Sequence, residues 1–199
     1  QSGTYTYNAA QVIAEYLKPL CSNNEYIIRN TQEFPKMLQQ QYPLLANEEY
    51  VSYDVESLFT NVPIHESIDY ILAEIYDKNK LPNICSRLIF KRLLLKLTTE
   101  NSFMFISDFY KQTDGCTMGG PLSVIFADIY MTKTEDNVVK ISKPKFYKRF
   151  VDDIINRRNK NEPDELFKKL NTSHQNMKYT VKVKPEKFLD KKIIYKNDY

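Results

Sequence analysis

Two well-separated stretches of this chain set acidic residues among strand formers: Asp54 within Tyr53-Asp54-Val55-Glu56-Ser57-Leu58-Phe59, and Asp152-Asp153 within Arg149-Phe150-Val151-Asp152-Asp153-Ile154. Val, Phe, Tyr and Ile favour extended chain, and a carboxylate on an otherwise buried sheet is costly unless a cation or hydrogen bonds compensate it. Strands that lie side by side would bring three oxygen donors to one end of a sheet. Such a set suits Mg²⁺, which prefers hard, partly hydrated sites, and is the core of two-metal phosphoryl transfer.

Composition allows a fold of this kind. With 199 residues, 42% of them hydrophobic and 13% aromatic, the chain can bury one sizeable core. Fifteen Tyr and eleven Phe with only four Gly and no Trp exclude a fibrous or low-complexity protein. Cys21, Cys85 and Cys116 are widely spaced and form no Cys-x-x-Cys pattern, which argues against a disulfide scaffold or a zinc site. His65 and His174 are isolated and read as ordinary surface or capping residues. No cationic segment precedes an apolar stretch near Gln1, and no apolar run reaches the length of a membrane span. A soluble, intracellular excerpt of a longer protein is expected, with an interrupted strand at its end.

Charge is unevenly spread. Residues 140–199 hold 17 Lys/Arg against 8 Asp/Glu, or +9; with +3 overall, the preceding residues carry 3 − 9 = −6. Lys148, Arg149, Arg157 and Arg158, interleaved with Phe146, Tyr147 and Phe150, suit a phosphate backbone, the alternative being a solvated face.

Periodicity predicts an amphipathic helix from Asn8 to near Pro19, a second over Phe34 to Gln41, and a strand over Glu49 to Asp54. A helix follows Asn61-Val62-Pro63, with Ile64, Ile68, Ile71, Leu72 and Ile75 on one face, and another spans Leu88 to Leu97. A hairpin turning at Ser107-Asp108 leads to a loop, residues 113–121, that holds three of the four glycines, and Pro121 opens a long helix. Asp152-Asp153 is expected at the tip of a hairpin between Lys145 to Val151 and Ile154 to Arg157. A helix over Pro163 to Leu170 and strands over Met177 to Val183 and Phe188 to Tyr195 complete an antiparallel α+β reading.

Taken in order, an Asp with an aromatic five positions on, a Gly-rich loop opening a helix at Pro, and Phe-Val-Asp-Asp at a hairpin tip resemble the palm of reverse transcriptases. Asp54 through Pro63, Phe109-Tyr110-Lys111-Gln112 with Gly115 to Leu122, Phe150-Val151-Asp152-Asp153 and Phe188-Leu189-Asp190 are similar to signature strings of the Penelope-like element branch. Gly120 stands where that branch usually has Ser.

The resemblance implies a polymerase palm, an antiparallel sheet backed by helices, over 49–199, with part of the helical fingers over 1–48. It implies RNA-directed DNA synthesis from deoxynucleoside triphosphates on an RNA template and a DNA primer. Two Mg²⁺ ions, replaceable by Mn²⁺, would be held by Asp54 and Asp152 as bridging ligands, with Asp153 a less direct ligand. Val55, Glu56, Ser57, Leu58, Phe59, Gly115, Met118, Gly119, Gly120 and Pro121 are the implied nucleotide-binding residues, Phe59 acting as a steric gate against ribonucleotides. It further implies a nuclear or cytoplasmic location away from membranes and a GIY-YIG endonuclease domain in the full-length protein. The alternative is an inactive remnant that only binds nucleic acid or a protein partner.

Overall fold

The computed structural model describes residues 5–99, 102–106, 108–111, 115–116 and 119–195. In chain order its elements are α1 (Tyr5–Leu17), α2 (Pro19–Ser22), α3 (Phe34–Gln40), β1 (Glu48–Val55), α4 (Leu58–Asn61) and α5 (Ile64–Leu72), which runs into a π-helical segment, Ala73–Asp77. Next come α6 (Arg87–Thr99), the hairpin β2 (Ser102–Phe105) and β3 (Asp108–Lys111), and α7 (Pro121–Thr134), which continues as a second π-helical segment, Glu135–Val139, and α8 (Lys140–Ser142). The chain closes with β4 (Phe146–Phe150), β5 (Asp153–Asn159), α9 (Glu165–Thr172), β6 (Tyr179–Val183), β7 (Lys187–Phe188) and β8 (Lys191–Lys192). Among the described residues no helix is long and apolar enough to cross a membrane.

Two compact units result, each built from two chain segments: Gln1–Asn24 with Ser57–Lys133, and Glu25–Glu56 with Thr134–Tyr199. They are defined by packing, whereas the fingers and palm ranges are assignments of role.

The first unit is mainly helical. Along α5 and the segment after it, Ile64, Ile68, Ile71, Leu72 and Ile75 are all buried, as their spacing predicts. The apolar run on α6 is buried only at Phe90 and Leu94, while Leu88 and Ile89 face solvent, because one side of a helix can meet the core. Phe90 receives the edge of the Tyr16 ring, with centroids 5.8 Å apart. The β2–β3 hairpin forms as expected, except that Asp108, expected in its turn, is the first residue of β3 and pairs with Phe105.

The second unit is built on a four-stranded antiparallel sheet of order β4-β5-β1-β6. Alternation gives each strand two faces. One face presents Tyr50, Phe146 and Ile155 to a cluster that includes Ile28, Phe34, Phe188 and Ile193. The other carries Tyr53, whose ring packs on Phe167 of α9 at 5.6 Å and whose hydroxyl donates to Asp164 at 2.8 Å. Asp164 caps α9 by accepting the Phe167 N–H at 3.0 Å, so one carboxylate starts the helix and ties it to β1.

Two expectations are corrected. Residues 188–195 are not one strand: β7 and β8 form a minimal hairpin turning at Leu189 and Asp190, both left-handed with φ 49° and 58°. Positive φ at both central residues is the turn geometry that matches the twist of paired strands. The carboxylates, in addition, are not buried. Asp54 and Asp153 are exposed although Tyr53, Val55 and Ile154 beside them are buried, because they lie at the sheet end, where the covering layer stops.

Candidate active site

Asp54 is the penultimate residue of β1 and Asp153 the first of β5, and the two are direct partners in the antiparallel ladder. Asp152 lies in the turn between β4 and β5, where its carbonyl accepts the Val55 N–H at 3.2 Å. The segments that carry the acidic residues are thus joined by backbone. Their charges interact: desolvation, then Asp152 and Glu56, push the Asp54 carboxyl above its ordinary value. Desolvation, then Asp152, Asp54 and Asp190, push Asp153 in the same direction.

A cleft of about 340 Å³ opens at this point, lined by Asp54, Asp153, Thr180, Lys182, Lys187 and Asp190 among others. Asp190, Lys182 and Lys187 are site residues that sequence reasoning did not assign. For Asp190 a signal existed, since Phe188-Leu189-Asp190 is one of the strings that carry the resemblance. For the lysines none did, because pairing of β6 with β1 brings Lys182 to Asp54 and the β7–β8 hairpin brings Lys187.

No three Asp, Glu, His or Cys side chains among the described residues are gathered tightly enough to enclose a metal ion. The donor set nevertheless suits Mg²⁺, which usually binds through one or two carboxylates and completes its shell with water and substrate phosphate. Desolvation and then mutual repulsion raise two of the carboxyl groups, and a divalent cation would relieve both.

In the first unit, Phe59 lies on α4 and is half-buried, whereas Leu58 beside it is buried and takes the packing role. The Cys116 N–H donates to the Phe59 carbonyl at 2.7 Å. Gly115, with φ 73°, crosses so close to the chain that a Cβ there would stand 2.2 Å from the Thr60 carbonyl oxygen. Gly115 and Cys116 therefore form one local structure with the Phe59 turn.

The other implied nucleotide-binding residues divide. Glu56 and Ser57 are exposed, the latter left-handed at φ 50°, and Gly119 is exposed at φ 82° with open space around it. Gly120 is half-buried, and Pro121 opens α7 as expected. Met118 lies outside the described residues. Val55, Leu58 and Gly115 are all buried.

The basic residues expected to contact phosphate all have partners within the chain. Arg149 is fully buried, with Nε 2.6 Å from the Glu135 carboxylate. Arg157 pairs with Glu48, and Arg158 with Glu49 and Asp164. Lys148 donates to the Glu25 carbonyl at 2.5 Å. In each case the sequence shows the charge but not the partner, which ranges from Asp164, six residues after Arg158, to Glu25, 123 residues before Lys148.

An antiparallel sheet backed by helices, with acidic residues paired at the end of its central strands, is the architecture of a polymerase palm. The model of the family described as reverse transcriptase (RNA-dependent DNA polymerase) matches residues 7–192, and the chain belongs to that family. Among solved structures it is similar to apo telomerase from Candida tropicalis truncated of its C-terminal domain, with TM-score 0.61, 16% identity, and coverage of 90% of this chain and 41% of that one. It is similar also to telomerase from Candida albicans in complex with a TWJ fragment of telomeric RNA, with TM-score 0.58, 15% identity, and coverage of 87% and 34%. At this identity the likeness is one of fold, and the chain spans less than half of either telomerase. No curated protein matches it.

Proposed function

We propose that the chain is the palm and part of the fingers of an RNA-directed DNA polymerase encoded by a Penelope-like retrotransposon, acting in the nucleus on an RNA template and a DNA primer. The observation that carries this reading is the ladder pairing of Asp54 with Asp153, beside the Asp152 turn. Family membership and the telomerase-like fold support polymerase chemistry. The Penelope-like assignment rests on the signature strings, and a GIY-YIG endonuclease elsewhere in the full-length protein belongs to the same reading.

The reaction is in-line attack of the primer 3′ oxygen on the α-phosphorus of a deoxynucleoside triphosphate, with pyrophosphate leaving. Two Mg²⁺ ions, when bound, supply activation of the attacking oxygen and charge stabilisation at the leaving group. Asp54 and Asp152 would hold them, and Asp153 would add negative field. Lys182 and Lys187, which line the same cleft, place cations where phosphate must lie. Phe59 excludes a 2′-hydroxyl by filling its volume and offering it no hydrogen-bond partner.

The test is primer extension by the full-length protein on an RNA template. Asp152→Asn abolishes extension while template-primer affinity changes little, since phosphate contacts dominate affinity. Extension by this variant at the parental rate would overturn the reading, and a parent that binds template-primer without extending it would identify a remnant.

A further inference from the structure

We infer that Arg149, through its buried ion pair with Glu135, is the positioning residue of the catalytic turn; the inference rests on the polymerase reading above. Arg149 is the largest fully buried side chain among the described residues. An ion pair removed from water is expensive, and apolar residues of similar volume often fill such a space at no loss of stability. The ion pair is therefore explained by something an apolar side chain cannot do.

The guanidinium reaches two parts of the structure at once. Its Nε and Nη2 donate to the two Glu135 oxygens at 2.6 and 3.3 Å, and its Nη1 donates to the Val151 carbonyl at 3.0 Å. Glu135 is the first residue of the π-helical segment that continues α7, and Tyr147 also donates to it, at 3.4 Å. The base of the side chain is fixed as well: the Arg149 N–H donates to Tyr26 O and its carbonyl accepts from Ile28 N–H, both at 2.7 Å. Arg149 is thus a rigid fork with one prong on a helix carboxylate and the other on the turn.

Val151 needs that prong. It is left-handed at φ 56°, a conformation that a β-branched residue adopts only where its surroundings impose it. Orientation of its peptide sets the two residues that follow. Asp152 accepts the Val55 N–H, and Asp153 enters the ladder opposite Asp54. A relaxed Val151 would shift both carboxylates against β1. Lysine could keep a charge opposite Glu135, but a single ammonium cannot reproduce the planar fork.

The experiment uses the full-length polymerase with two variants, Arg149→Lys and the double change Glu135→Leu with Arg149→Met. The double change removes the pair without stranding a buried charge, so a folded protein is retained even if the single variant unfolds. Single-turnover extension separates the maximal rate from nucleotide half-saturation, thermal unfolding reports the fold, and hydrogen exchange at the Val55 amide reports the turn. For the double variant the maximal rate falls about 10- to 100-fold with half-saturation within about threefold of the parent, as expected when reacting groups are misplaced without loss of ground-state binding. The Val55 amide exchanges faster while the protein still unfolds in a cooperative thermal transition. A folded double variant with parental rate and parental Val55 exchange overturns the proposal, as does a rate loss explained wholly by weaker template-primer binding. Failure of the polymerase reading is seen separately, in a parent that does not extend primers. Val55 exchange then still decides whether Arg149 positions the turn.

Discussion

Asp54 and Asp153 stand directly opposite each other on β1 and β5, and desolvation, then the charges of Asp152, Asp54 and Asp190, push the Asp153 carboxyl above its ordinary value. Two carboxylates in register on one face of a ladder repel, and like charges directly opposite destabilise a sheet. The pairing therefore works against stability and has to be explained by chemistry.

That opposition is measurable as a gain. Asp153→Asn raises the thermal midpoint of the metal-free protein at neutral pH and lowers extension. A folded-state carboxyl pKa above the ordinary 3.8 means that the stability held in the protonated form is present below about that pH and is lost as pH rises through the raised value. The parent therefore loses stability over that interval and the Asn variant loses less. Thermal unfolding across acidic pH checks this, and identical profiles would remove the electrostatic argument.

Glu48 provides the opposite sign. Burial alone would raise its carboxyl, but hydrogen bonds from Lys145, Arg157 and the Leu45 amide outweigh burial and hold it at about 2. Its contribution is present above the ordinary 4.5 and is lost as pH falls toward about 2. Glu48→Gln lowers stability at neutral pH and flattens the acid limb of the unfolding profile. Arg157→Met leaves the same carboxylate buried with less compensation and costs about 3 to 5 kcal/mol in denaturant unfolding.

Phe59→Val opens the space proposed to exclude a ribose hydroxyl. Because Phe59 is half-buried while Leu58 holds the core, the change costs less stability than the roughly 3 to 5 kcal/mol of a core Phe truncated to Ala. Competition between ribo- and deoxynucleoside triphosphates in primer extension checks the gate. An unaltered preference in a folded Phe59→Val protein would eliminate it.

Two glycines of the same loop respond differently. Gly119→Ala meets open space and pays only for left-handed backbone, about 1 to 2 kcal/mol. Gly115→Ala pays that and also drives a methyl into the Thr60 carbonyl, separating the loop from the Phe59 turn. Denaturant unfolding should rank Gly115→Ala well below Gly119→Ala, and its nucleotide discrimination should decay with the lost Phe59 to Cys116 hydrogen bond.

Local pattern was enough for much of this molecule. The spacing of Ile64, Ile68, Ile71 and Leu72 shows which face of α5 is inside, and β-formers around Asp54 and Asp152-Asp153 mark both strands and the turn between β4 and β5, because those signals lie within a few residues of one another. The order of acidic, aromatic and Gly-rich segments was sufficient to indicate the polymerase family. What the tertiary structure decided is which charges are free. Arg149, Arg157 and Arg158 look like a basic surface in the sequence, yet Glu135, Glu48, Glu49 and Asp164 claim them, Glu48 and Glu49 from across the β1–β5 ladder. Lys182 becomes a cleft residue only because β6 pairs with β1, and Lys187 and Asp190 only because the β7–β8 hairpin turns at Leu189 and Asp190 beside Asp54. Helix and strand periods are properties of neighbouring residues, whereas the burial and partner of a charge are properties of the packed chain, and no spacing along the sequence encodes them.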